Sequence, residues 1–84
     1  MIIYVQSIDG EDLYEVEINE NQTFWEFRKK VCELINQEPN DVILTADKEY
    51  NYEYNSKKIG DISTICDQMT FYAVYQVGGG KKTN

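Results

Sequence analysis

One stretch of the sequence, residues 23–35, has the spacing of an amphipathic helix, and it limits the fold more than any other feature. Its large apolar side chains fall within about 100° of arc on a helical wheel: Phe24, Phe27, Val31, Leu34 and Ile35. Thr23 is predicted to cap this helix, and Glu26 completes a capping box. Pro39 is expected to follow its end, because the residue before a proline avoids helical angles. A helix with one apolar stripe needs a sheet to lie on.

The sequence before the helix predicts a β-hairpin. Residues 1–8 are rich in β-branched and aromatic side chains, and Asp9-Gly10 follows them as a turn signal. Residues 14–18 then alternate apolar and acidic side chains, which is the period of a strand with one face toward solvent. Two antiparallel strands are therefore expected ahead of the helix.

The sequence after the helix predicts two further strands. Residues 42–44 form a short apolar run, and residues 69–77 give the last strand, with alternating faces. Between them, residues 47–58 are polar and rich in tyrosine, which favours an exposed loop with one short strand at most. Residues 59–65 predict a short helical turn. The element order places the chain in the α+β class.

Charge and composition exclude several classes of function. Eight Lys and Arg against 15 Asp and Glu leave a net charge of -7 over 84 residues, so nucleic acid is not an expected partner. The chain has no His, which removes the commonest general base and metal ligand. We expect no enzyme activity, no cofactor and no metal site.

We expect neither a membrane span nor a secretory leader, because the strand-like residues 2–8 follow Met1 directly. Cys32 and Cys66 form no metal-binding motif, and we expect both thiols to be reduced and buried or half-buried. A monomer in the cytoplasm, the nucleus or both, with no membrane partner, is therefore predicted.

Two residues of the predicted helix leave alternatives open. Trp25 lies off the centre of the apolar stripe, so it is either a rim residue that shields the sheet edge or an anchor for a partner. Arg28 lies close to the stripe. We interpret it as a structural cation paired with an acidic residue, Asp47 or Glu53.

The carboxyl-terminal residues differ in character from the rest. Gly78, Gly79 and Gly80 are followed by Lys81-Lys82-Thr83-Asn84. Three consecutive glycines offer no side chain for packing and leave the backbone free, so residues 78–84 are expected to form a flexible tail. Residues 1–77 are then the folded domain.

Considered together, these features resemble the ubiquitin family over residues 1–80. The resemblance implies a β-grasp fold, a mixed four-stranded sheet packed on one helix. The residues that carry it are the Met-led strand and turn MIIYVQSIDG, Thr23-Phe24 at the helix start with Phe27 and Val31, Pro39 after the helix, Ile59-Gly60-Asp61 and Thr70-Phe71-Tyr72-Ala73-Val74 near the last strand, and Gly79-Gly80 in place of the terminal diglycine.

The resemblance implies a ubiquitin-like protein modifier made as a precursor. A tail-processing protease would cut between Gly80 and Lys81, and activating and conjugating enzymes would join the Gly80 carboxylate to lysines of target proteins. The alternative is a non-covalent ubiquitin-like interaction domain of a larger protein, with the glycines as linker. A sulfur carrier of the same fold is less favoured, because such carriers end at the glycines.

The resemblance also implies a partner-binding surface. Its residues are Ile8, Thr45, Tyr72 and Val74, with Gln76 beside the tail and Tyr4 as added aromatic contact. Thr45 replaces an aliphatic anchor, so we expect weak binding to ordinary ubiquitin-binding domains. Ile43 and Gln76 replace arginines that activating enzymes recognise, which favours a dedicated activating enzyme with a basic docking surface. Lys30 and Lys48 are the candidate acceptor lysines.

Overall fold

Five strands and one helix make up the part of the chain that the computed structural model describes, residues 1–7 and 10–75. This is an α+β architecture. In chain order the elements are β1 (Ile2–Ser7), β2 (Leu13–Glu17), α1 (Phe24–Ile35), β3 (Val42–Thr45), β4 (Glu49–Tyr50) and β5 (Thr70–Tyr75), with short 3-10 turns at Pro39–Asp41, Tyr52–Tyr54 and Ile59–Asp61.

The strands form one mixed sheet in the order β2-β1-β5-β3-β4. The central pair, β1 and β5, is parallel, with Tyr4 opposite Thr70 and Ser7 opposite Ala73. The other three pairs are antiparallel. The first and last of the described strands therefore lie side by side near the middle of the sheet.

The predicted four-strand sheet is wrong, because β4 adds a fifth strand. The backbone N–H of Ala46 donates to the carbonyl of Lys48 at 3.0 Å, and this tight turn brings Tyr50 opposite Leu44. The Tyr50 side chain is fully buried. Burial of this large ring stabilises the pairing of β4 with β3, although β4 has only two residues.

The antiparallel pairing of the predicted hairpin and the start of the predicted helix are confirmed. Gly10 has a φ of +79°, and its N–H donates to the Ser7 carbonyl at 2.9 Å. The Thr23 N–H donates to Glu26 Oε1 at 2.9 Å, while the Glu26 N–H donates to Thr23 Oγ1 at 3.2 Å. These reciprocal bonds form the expected capping box and satisfy two backbone donors at the helix end.

The helix covers the sheet with most of its predicted stripe, and Leu34 is the exception. Phe24, Phe27 and Val31 are buried, whereas 48% of Leu34 is exposed. The prediction that Leu34 is buried is wrong. It lies beside Val16 and Glu17 of the edge strand β2, where the sheet no longer extends beneath the helix.

An aromatic cluster joins α1 to the far half of the sheet. Phe24 lies 5.6 Å from Phe27 and 5.7 Å from Tyr50 between ring centroids. Phe71 completes the cluster at 5.4 Å from Phe27 and 5.2 Å from Tyr50. Edge-to-face and offset packing of this kind adds to the burial of each ring. The aromatic part of the core therefore lies between β4, β5 and the first turns of α1, and the aliphatic part extends under the rest of the sheet.

Candidate interaction surface

The sheet face turned away from α1 carries the residues predicted to bind partners. Side chains alternate along each strand, so Val5, Leu44 and Phe71 face the helix and their neighbours face away. The strand registers then align one residue from each strand in a row across the open face. In sheet order this row is Leu13, Gln6, Tyr72, Thr45 and Glu49.

Three of the predicted surface residues meet on this face. Thr45 lies opposite Tyr72, and its Oγ1 donates to the Tyr72 carbonyl at 3.5 Å, at the long limit for a hydrogen bond. Val74 is half-buried opposite Ile43. Tyr72 is 44% exposed and is the large aromatic side chain of the row. Thr45, Tyr72 and Val74 therefore form one continuous surface.

The remaining predicted site residues are distributed differently. Tyr4 is half-buried on the same face, opposite Thr70. Ile8, Gln76 and the processing residues Gly78, Gly79, Gly80 and Lys81 lie outside the described residues.

The sequence reasoning missed Leu13 as a member of the surface. Leu13 is 61% exposed and ends the row next to Gln6. The signal was present, since Leu13 shares its alternation with Glu15 and Glu17 rather than with Val16. The alternation that buries Val16 therefore exposes Leu13, although Leu13 is apolar.

Both candidate acceptor lysines are exposed, and each ammonium group has a partner. Lys30 Nζ donates to the Glu17 carbonyl at 2.8 Å. Lys48 Nζ lies 5.2 Å from the ring centroid of Tyr54 and 5.4 Å from that of Tyr50. A hydrogen bond with the Tyr54 hydroxyl raises the pKa of Lys48. A proton held this way makes the amine a weaker nucleophile than a freely solvated lysine.

Arg28 is fully buried, and its predicted carboxylate partner is wrong. Its guanidinium donates to the backbone carbonyls of Val42 and Tyr50, the latter at 2.9 Å, and to Asn55 Oδ1 at 3.2 Å. The Arg28 Cζ also lies 4.9 Å from the Tyr52 ring centroid. Burial lowers the pKa of Arg28. The fork of donors suits separate acceptors on β3 and β4, so this cation joins strands rather than binding a ligand.

The two cysteines are free thiols in different surroundings. Cys32 is buried, and burial raises its pKa to about 11. A thiol that holds its proton in this way is not a nucleophile at neutral pH. Cys66 is exposed, so the prediction that it is at least half-buried is wrong.

Trp25 lines an open groove at the start of α1. The groove has a volume of about 530 Å³, and its other walls are Thr23, Asn40, Asn55 and Ser56. The backbone N–H of Trp25 donates to the Asn55 carbonyl at 3.2 Å, which joins the helix to the chain after the Tyr52–Tyr54 turn. Both interpretations of the Trp25 side chain, rim residue and partner anchor, stay predictions.

Neither a protein-family model nor a curated protein sequence matches this chain.

Within residues 1–7 and 10–75, no group of three or more His, Cys, Asp or Glu side chains is placed to hold a metal ion. Over the same residues, no helix is both long and apolar enough to cross a membrane. A groove of about 520 Å³ at the end of α1 is lined by Glu33, Glu38 and Asp41 beside the protonated Cys32. The exposed row across the sheet is the feature best suited to a macromolecular partner.

Proposed function

We propose that this chain is a ubiquitin-like modifier precursor with a β-grasp fold. Residues 1–77 would form the domain, and residues 78–84 would form a tail cut after Gly80. The proposal is supported by the sequence resemblance over residues 1–80. It is also supported by the architecture, in which a hairpin precedes the helix and the last strand lies between β1 and β3.

The placement of β5 is the observation that carries the proposal. β5 pairs with β1 on one side and with β3 on the other through Tyr75, three positions before Gly78. The pairing with β1 reaches Ala73 and the pairing with β3 reaches Tyr75, so β5 is held in the sheet up to three positions before the first glycine. A rigid body that leads into residues without a Cβ is what an enzyme channel for a tail requires.

The chemistry would belong to the Gly80 carboxylate and to partner enzymes. The carboxylate would attack the α-phosphate of ATP and release pyrophosphate, and an enzyme cysteine thiolate would then displace AMP to form a thioester. A target lysine amine would displace that thiolate and form an isopeptide bond. Covalent transfer divides one difficult acylation into easier steps. The chain would supply recognition, through the Thr45, Tyr72 and Val74 surface.

The decisive experiment compares the chain ending at Gly80 with its Gly80→Ala variant. Each is added to extract of the source cells with ATP, and adducts are separated by electrophoresis with and without a thiol reductant. We expect a reductant-sensitive thioester and a resistant isopeptide adduct from the Gly80 form only. Adducts from both forms, or from neither, contradict the proposal. Circular dichroism spectra that match would show that the variant is folded.

The non-covalent alternative is supported by the exposed row that contains Leu13 and Tyr72. The strands that carry this row pair with one another through residues 2–75. Partner binding of this kind would survive Gly80→Ala and would be lost in Tyr72→Ala. A conjugated modifier would lose adducts in Gly80→Ala, so the pair of variants separates the two functions.

A further inference from the structure

The buried cation Arg28 is covered on its outer side by Tyr52. The Arg28 Cζ lies 4.9 Å from the centroid of the Tyr52 ring and 5.4 Å from that of the Phe24 ring. Phe24 is fully buried, whereas 41% of Tyr52 is exposed, and Arg28 itself has no exposed surface. The Tyr52 ring therefore forms part of the boundary between a buried charge and solvent.

The hydroxyl of Tyr52 is bound to the backbone of another turn. It donates to the carbonyl of Asn40, in the 3-10 turn that leads into β3. A phenol oxygen that carries a phosphoryl group has no proton to donate, and the group would bring about two negative charges to this carbonyl oxygen. Asp41 adds a carboxylate on the same turn. Phosphorylation of Tyr52 would therefore replace an attractive contact by a repulsive one.

The two neighbouring tyrosines are less accessible to such a reaction. Tyr50 is fully buried, and its hydroxyl bonds to Asp47 Oδ1 and to Thr64 Oγ1. Tyr54 is half-buried, with its ring centroid 5.1 Å from that of Tyr50. Modification of either would require the aromatic cluster to open. Of these three tyrosines, Tyr52 is the one that an enzyme reaches with the least rearrangement of the core.

Charge and local structure favour recognition of Tyr52 by a kinase. Asp47, Glu49 and Glu53 are exposed and lie within five positions of it, so a basic substrate groove would attract this segment. The 3-10 turn is closed by a short-range bond, in which the Asn55 N–H donates to the Tyr52 carbonyl at 3.1 Å. Opening such a turn costs less free energy than unfolding the domain. The hydroxyl can therefore be presented while the sheet stays intact.

We propose that Tyr52 is a phosphorylation site and that its modification uncovers Arg28. The Tyr52 oxygen would attack the γ-phosphorus of ATP, the bond from that phosphorus to the ADP oxygen would break, and a base of the kinase would take the phenolic proton. The modified ring would leave the Asn40 carbonyl. Solvent would then reach the guanidinium that joins β3 to β4. This regulation is separate from the open sheet face and does not depend on conjugation.

The first test identifies the modified residue. The 84-residue chain is treated with a recombinant tyrosine kinase and ATP, and the phosphopeptides are quantified by mass spectrometry. Tyr72 is the internal control, because its exposed fraction of 44% is similar but it lies within the paired strand β5. We expect at least about tenfold more phosphate at Tyr52 than at Tyr72. Equal phosphate at the two residues, or none at Tyr52, overturns the proposal.

The second test measures the effect on the structure. A chain in which Tyr52 is phosphorylated is assembled by peptide ligation, and its amide hydrogen exchange is compared with that of the unmodified chain. We expect exchange in residues 49–58 to be at least about tenfold faster, with little change in β1 and β2. A chain phosphorylated at Tyr72 carries the same added charge and should change exchange in residues 49–58 by no more than about twofold. Unchanged or slower exchange after phosphorylation of Tyr52 contradicts the proposal.

Two variants separate loss of the hydroxyl from loss of the ring. Tyr52→Phe keeps a ring over Arg28 and should accelerate exchange in residues 49–58 by less than about threefold, because the contact between cation and ring remains. Tyr52→Ala uncovers the guanidinium and should match the phosphorylated chain within a factor of about two. If Tyr52→Phe matches the phosphorylated chain instead, loss of the hydrogen bond alone explains the change and the uncovering of Arg28 is wrong.

Discussion

Residues 1–35 and residues 46–69 are stabilised in different ways. The first region consists of a hairpin and a helix, in which regular alternation buries one side of each element. The second contains a two-residue strand and two 3-10 turns. Specific polar bonds hold it, such as that from the Tyr50 hydroxyl to Asp47 Oδ1 at 2.8 Å. Regular burial distributes stability over many residues, whereas the irregular region depends on a few contacts.

The largest expected effect comes from the aromatic cluster that joins the two regions. Phe24→Ala removes a fully buried ring in contact with Phe27, Tyr50 and Tyr54. We expect the free energy of unfolding to fall by about 3–5 kcal/mol, as measured by denaturant titration. Both regions should unfold in one transition. A loss below about 1 kcal/mol, or two separate transitions, would contradict the role of this cluster in joining the two regions.

Arg28→Met should destabilise the irregular region in particular. The variant keeps much of the side-chain volume but leaves the buried Val42 and Tyr50 carbonyls without their donor. We expect a loss of about 2–4 kcal/mol, with faster amide exchange in residues 49–58 than in β1 and β2.

Lys29→Met is the matched control for Arg28→Met, because Lys29 is exposed on the same helix. Its expected effect is within about 0.5 kcal/mol. Uniform acceleration of amide exchange over the whole sheet in Arg28→Met would contradict a local role for the guanidinium.

Alkaline pH tests the burial of Cys32 in the regular region. Burial raises the pKa of this thiol from 9.0 to about 11, so between these values the folded chain keeps a proton that the unfolded chain has lost. The contribution of the protonated thiol to the free energy of unfolding is therefore complete below pH 9. It is lost as the pH rises toward 11, for a total loss of about 2–3 kcal/mol. Burial also raises the pKa of Tyr50, which adds to the loss above pH 10.

Stability curves of the parent chain and of Cys32→Ala, measured from pH 8 to pH 11, check this expectation. The variant should lose less stability between pH 9 and pH 10 than the parent. The same steep loss in both proteins would show that another group is responsible. Cys66→Ala is the control, because that thiol is exposed and its removal should leave the curve unchanged.

The smallest effect is expected at the helix cap. Thr23→Ala removes the hydroxyl that accepts from the Glu26 N–H and should cost about 1 kcal/mol, measured by thermal or denaturant unfolding. Ser63→Ala changes an exposed hydroxyl outside any helix or strand and serves as control. A larger loss than in Arg28→Met would reverse the contrast between the two regions.

The sequence predicted the elements whose residues follow a regular period and missed the element that has none. The hairpin, the capped helix and the last strand follow from alternation, helical spacing and the Thr23–Glu26 pair. β4 has two residues and therefore no period. The exposure of Leu34 could not be predicted, because helical spacing gives the direction of a stripe but not the width of the sheet beneath it.

The candidate surface was predictable only in part. Alternation places Tyr72 and Val74 on the face of β5 opposite Phe71, but only the register aligns them with Thr45 and Leu13. The partners of Arg28 were not predictable, because every residue has a backbone carbonyl and the residue type does not indicate which carbonyl accepts. An acidic partner was the natural expectation, and the fold supplied neutral acceptors instead.

The parallel pairing of β1 with β5 has a mechanical consequence. Both strands run in the same direction, so a force applied at Met1 and at Tyr75 would pull them past each other along their length. The hydrogen bonds that join them would be loaded together instead of opening one by one from an end. The described residues should therefore withstand a higher unfolding force when pulled at Met1 and Tyr75 than when an edge strand, β2 or β4, is peeled from the sheet.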